Sequence, residues 1–253
     1  MITKIFEDSV KYAFKDMKTV IKVGILSLFS FLIIPLFMLF GYSYRVTSTS
    51  LQGIMINSKD PLPKISPIID LLEKGLKVFL VVFIYSIPSI IISILIFFNT
   101  GLFVIGTQSS FTITLNTGTL FLMLLLITWF ISFLLSTIAI SHMVENNDLK
   151  SAFKIKDLIK IIKFFGIIEY IKFYIITILF IILSVIATFF ISYVIINIIS
   201  YILITIQMPL SSMVVSSLNI FVFVLLEQIF FIPFFVILLS RGTSFMYDPT
   251  ALE

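Results

Sequence analysis

Glu227 most invites a chemical reading. It lies in FVFVLLEQIFFIPFF, with Gln228 beside it and Phe223, Val224, Phe230 and Phe231 one turn away. An ionisable group at the centre of an apolar helix is costly, about 2.5–3.5 kcal/mol for Asp, Lys or Arg on insertion scales. Such groups face a bundle interior and mark ion or ligand paths. The alternative is structural: a carboxyl hydrogen-bonded to Asn197, Tyr193 or a Ser or Thr of another helix. Glu227, Gln228 and Asn197 are therefore the candidates for a ligand or ion pathway.

Other chemistry is poorly supported. His142 is the sole histidine and there is no cysteine. The stretch SHMVENND adds Glu145 and Asp148, but a metal centre would want more nitrogen or thiolate ligands. A surface-facing histidine is the expectation. No phosphate-binding glycine loop, zinc-peptidase pair or Ser/His/Asp pattern occurs. The sequence points to a protein that is not an enzyme, with no cofactor and no metal. Nothing resembles a nucleic-acid-binding module.

The lysines form a second chemical group. Lys15, Lys18 and Lys22 follow Ile2, Ile5, Phe6, Val10 and Ala13, which recur at helical steps. Lys154, Lys160 and Lys163, with Lys150 and Lys156, face away from Ile155, Leu158, Ile159 and Ile162. Basic amphipathic helices of this kind lie in the headgroup layer and contact anionic lipids. These six lysines are the candidate headgroup contacts. A protein partner or a homo-oligomer is a further expectation.

The elements that carry these residues follow from composition. The chain has 253 residues, 60% of them hydrophobic and only 12% charged, with a net charge of +4 and a mean hydropathy of +1.20. Lipid must solvate much of that surface. The segment 1–22 reads as an interfacial helix retained in the mature chain. Gly53, Asn57, Asp60, Pro61 and Pro63 interrupt the segment 45–75, which then holds a short helix after Ser66-Pro67. Membrane spans are expected at 76–98, 119–143, 173–206 and 218–240. The run 173–206 exceeds the bilayer thickness, either as one long helix or as two pieces broken near Asn197.

Charge sets the orientation. Segments 45–77 and 145–172 and Arg241 carry the lysines and arginines, whereas 99–118 and 207–217 carry none. Positive loops stay inside, which places both termini in the cytoplasm of a cell-membrane protein. The stretch 23–44 then has basic segments on both flanks. A re-entrant hairpin turning at Pro35, with arms 23–34 and 36–44, removes the conflict. A single span kinked at Pro35 is the alternative.

Several short motifs occur in order: AFKD at 13–16, GYSYR at 41–45, Gly53 then Leu62-Pro63, GLK at 75–77, and AFKIKDLIKII at 152–162. In these the chain resembles domain of unknown function 4013, an uncharacterised and mainly archaeal family of multi-pass membrane proteins. The resemblance implies a helical membrane protein and transfers no activity or functional residue. The fold expected is thus an all-α integral membrane protein forming a single domain. It would have about four spans, an N-terminal hairpin and amphipathic interfacial helices. The function expected is a lipid-interacting or scaffolding component. The alternative is a small transporter or permease subunit using Glu227.

Overall fold

The computed structural model describes residues 2–52, 61–99, 115–206 and 211–252. All regular structure among them is helical. In chain order the helices are α1 (Ile2–Phe14), α2 (Met17–Leu28), α3 (Ile33–Gln52), α4 (Ile68–Asn99), α5 (Leu115–Asn146), α6 (Ile155–Phe165), α7 (Ile167–Thr205), α8 (Ser212–Leu226) and α9 (Ile232–Met246). A π-helical turn, Glu227–Phe231, joins α8 to α9. Short 3₁₀ turns at Leu149–Phe153 and Pro249–Leu252 complete the chain.

Four segments are long and apolar enough to cross a membrane: Ile68–Ile96, Leu120–Asn146, Ile167–Thr205 and Ser212–Met246. Their number is the four expected; each overlaps one expected span, and only the last is longer at both ends. The protein is an all-α, multi-pass membrane protein. The short helix expected after Ser66-Pro67 is not separate. It is the first part of α4, which continues through Pro88. Likewise α7 is one helix of 39 residues, unbroken at Asn197. At 1.5 Å per residue it is about 58 Å long, well beyond a hydrocarbon core of about 30 Å.

The N-terminal region departs from expectation in two ways. First, 1–22 is not one interfacial helix. It breaks at Lys15-Asp16, where Asp16 caps α2: its Oδ1 accepts from the amides of Lys18 and Thr19, and its Oδ2 accepts from the Thr19 hydroxyl. These bonds hold the Asp16 carboxyl below its ordinary range. Second, the turn falls at residues 29–32, and Pro35 sits in the first turn of α3, where a missing amide costs little.

The path of the first two helices follows from their partners. Asp8 meets Arg241, Phe14 packs on Phe234, Gly24 abuts Ile229, and Ser27 bonds Gln228. As one number rises the other falls, so α1 and α2 run antiparallel to α9 as far as the π-turn. Then α3 returns, with Thr47 and Ser50 beside Ser244 and Arg241. The chain enters and leaves at the same end of the bundle. Its turn carries exposed Phe29, Phe31, Leu32, Ile33 and Ile34.

The crossing of α3 and α4 explains part of the motif pattern. A Cβ on Gly41 would overlap the Leu71 carbonyl, and one on Gly75 would overlap the Phe37 carbonyl. Two glycines on opposite helices therefore let the backbones touch. Arg45, four residues past Gly41, donates to the carbonyls of Lys64, Ser66 and Pro67 and to Asp70 Oδ2. It clamps the segment leading into α4.

The packed core lies at the basic end of the spans. Tyr42, Leu71, Ile138, Met143, Leu158, Ile161, Phe173, Tyr174 and Ile237 are fully buried there. Towards the other end, α5 exposes Leu122, Met123 and Leu126, and α7 exposes Leu183, Ile186 and Phe190. Lipid is the solvent suited to such faces.

Candidate functional site

Glu227 opens the π-turn. Pro233, six residues on, has no amide, so the Ile229 carbonyl lacks its usual donor four residues ahead. The helix accommodates this by widening: Ile232 N–H bonds the Glu227 carbonyl, a five-residue step. Such turns are frequent at functional sites. Gly24 of α2 sits directly against the Ile229 carbonyl, and Ser27 Oγ donates to Gln228 Oε1 at 2.8 Å. The turn is thus held by the tip of the N-terminal hairpin.

Gln228 and Glu227 point to different neighbours. Gln228 faces α2. Glu227 faces α7, where Thr188 is its hydroxyl neighbour, and its Oε1 is buried without a hydrogen-bond partner. Ser184, Thr188 and Ser192 form a buried line on α7 at four-residue spacing, and Ser192 Oγ donates to Asn219 Oδ1 at 2.7 Å. Asn219 and Glu227 are two turns apart, so the line on α7 and the pair on α8 and the π-turn face each other in antiparallel register.

Asn197 is not part of this group. Its side chain is exposed and donates to the Tyr193 carbonyl of its own helix at 2.8 Å. The asparagine in the seam is Asn219, which the sequence reading missed. The available signal was its spacing of two turns from Glu227.

The lysine candidates fall into two exposed groups. Lys15, Lys18 and Lys22 flank the joint of α1 and α2, beside exposed Phe14, Met17, Ile21 and Ile25. Lys154, Lys160 and Lys163 lie on and before α6. That helix buries Leu158 and Ile161 and leaves Ile155, Ile159 and Phe164 exposed.

His142 is not surface-facing; it is buried. Asn146 Nδ2, which can only donate, lies 3.1 Å from His142 Nδ1, and Tyr247 Oη lies 2.9 Å from the same atom. Burial pushes the Tyr247 phenol up to about 12, so it keeps its hydrogen and can donate as well. Nδ1 therefore accepts and the proton sits on Nε2, which is buried without a partner. No group of three metal-ligating side chains occurs among the described residues.

Two cavities are separate from Glu227. One, about 280 Å³, is lined by Arg45, Lys64, Asp70 and Lys74 among others. The second, about 150 Å³, lies among Ser43, Thr47, Val78, Thr137, Val236 and Ser240. Sequence reading also missed Arg241, which is fully buried. Its Nε donates to Asp8, and its guanidinium lies over the rings of Tyr12 and Phe245.

The profile of a family described as "Protein of unknown function (DUF4013)" matches residues 28–194. The chain belongs to that family. The match takes in the Gly41–Gly75 crossing, the Arg45 clamp, α6 and the Ser184–Ser192 line of this family member. Asp8, Glu227 and Arg241 lie outside it. No curated protein and no solved structure matches the chain.

Proposed function

We propose that this protein is a non-enzymatic component of the cell membrane that gathers anionic lipid on its cytoplasmic side and scaffolds the surrounding membrane or a partner. The observation that carries this reading is α6. Leu158 and Ile161 fix the helix to the bundle, while Lys154, Lys156, Lys160 and Lys163 stay exposed alongside Ile155, Ile159 and Phe164. An aqueous surface has no use for those apolar groups, whereas the headgroup boundary accommodates both kinds. Each lysine near an anionic surface contributes about 1 kcal/mol of attraction. The basic segments also support cytoplasmic placement of both termini.

The test is lipid retention. Protein purified in mild detergent from native membranes should carry anionic phospholipid. Changing Lys154, Lys160 and Lys163 to Gln should reduce that lipid several-fold and leave the folded fraction unchanged. Equal retention by the triple variant, or binding only of neutral lipid, removes this reading.

A further inference from the structure

We infer that Glu227 is a proton-exchanging carboxyl within the membrane, served by the polar seam between α7 and α8. The hydroxyl of Thr188, the polar neighbour of Glu227 on α7, donates to the Ser184 carbonyl at 2.7 Å. The buried Oε1 of Glu227 has no hydrogen-bond partner, which suits the carbonyl oxygen of a neutral acid.

The charged surroundings agree. Residues 23–28 of α2 and 173–205 of α7 carry no charge, and Glu227 is the sole charged residue in 212–240. The first charges met along the facing helices are Lys22, Lys172 and Arg241. Arg241 is committed to Asp8 and is separated from Glu227 by fourteen positions, about 21 Å along a helix.

A metal ion fits less well. Hard cations need several free oxygen ligands. Among the described residues no group of three His, Cys, Asp or Glu side chains could hold one, and Glu227 is the one carboxylate in 212–240. The seam does offer what a proton needs: hydroxyl and amide groups at one-turn spacing leading away from Glu227 towards the start of α8. The step balances simply. The carboxyl releases its proton to a water in the seam and recovers one from water, with no other bond made or broken. The π-turn opens at Glu227 itself, and such turns are frequent at functional sites.

The experiment is infrared spectroscopy of the full chain in lipid vesicles, with Glu227→Gln as the reference. The wild type should show a carboxylic C=O band absent from the variant, and the band should shift when H₂O is replaced by D₂O. Ser192→Ala should slow that shift several-fold at an unchanged unfolding midpoint. A missing band, or a band that never shifts in folded protein, overturns the assignment. An unchanged rate in Ser192→Ala overturns the role of the seam. Should Glu227→Gln not fold, Glu227→Asp serves as the reference, because it moves the band rather than deleting it; a band that does not move overturns the assignment.

Discussion

Arg241 Nε donates to Asp8 Oδ2 at 3.1 Å, joining residues 233 positions apart. Arg241 has 0% exposure and Asp8 8%. The guanidinium is enclosed by the rings of Tyr12 and Phe245, at 4.3 and 4.6 Å, and its Nη1 reaches Ser50 Oγ at 3.4 Å. One cation thus ties α1, α3 and α9 together. The N-terminal helix can take its final place only when the last span is present.

Removing one partner should cost far more than removing both. Asp8→Ala takes the carboxylate away from a buried guanidinium and should destabilise the protein by about 3–5 kcal/mol. Replacing Asp8 by Leu and Arg241 by Met together should recover most of that loss, because no buried charge is left unpaired. Thermal unfolding in detergent, read for Asp8→Ala and for the double variant, checks the order. Equal midpoints for Asp8→Ala and wild type would show the pair to be idle.

The α3–α4 crossing makes a steric prediction. Ala at Gly41 or Gly75 places a methyl on a backbone carbonyl of the other helix, and neither backbone can yield without moving its helix. Each substitution should destabilise by about 1–3 kcal/mol or more, the range for overpacking. Double cysteine cross-linking across the two helices should weaken in both. Wild-type midpoints for both variants would mean that the helices cross elsewhere.

Arg45 should not tolerate lysine. Its planar fork serves three carbonyls and one carboxylate at once, and an ammonium cannot match that geometry. Arg45→Lys should lose about 1–3 kcal/mol through stranded carbonyls, with faster proteolysis just before α4. The comparison with Arg45→Met separates shape from charge. If lysine restores wild-type stability, charge alone was required.

Sequence reading succeeded where the signal is local and failed where it is not. The uncharged run of α7 and the apolar stretches of α4 and α5 announce themselves by length. The hairpin turn was misplaced because 29–32 reads FSFL, with no breaker, while Pro35 suggested itself and is harmless in a first helical turn. Asp8 did leave a trace: three residues after Ile5 and four before Tyr12, it shares the buried face of α1. Its partner, 233 positions away, left none. Arg241 was read as a charge marking the end of a span, and its burial comes from helices that only the fold brings together. The π-turn was legible in principle, since Pro233 follows Glu227 by six residues and must disturb the bonds of that turn.

The hairpin path leads to a topology prediction. Because α1 and α2 descend along α9 and α3 returns, residues near both ends of this segment should face the same compartment. The chain has no native cysteine, so single introduced cysteines report cleanly. Lys4, Lys64 and Lys156 are exposed at the basic end, and Met213 is exposed at the start of α8. In intact cells an impermeant thiol reagent should label Met213→Cys alone. After permeabilisation, the cysteines at 4, 64 and 156 should label as well. Labelling at 4 but not at 64 in intact cells would mean that residues 23–44 cross the bilayer once. Labelling at 4, 64 and 156 together, with 213 protected, would invert the orientation while preserving the hairpin. The two outcomes separate the path of the chain from its direction, because the first depends on helix contacts and the second on where the lysines reside.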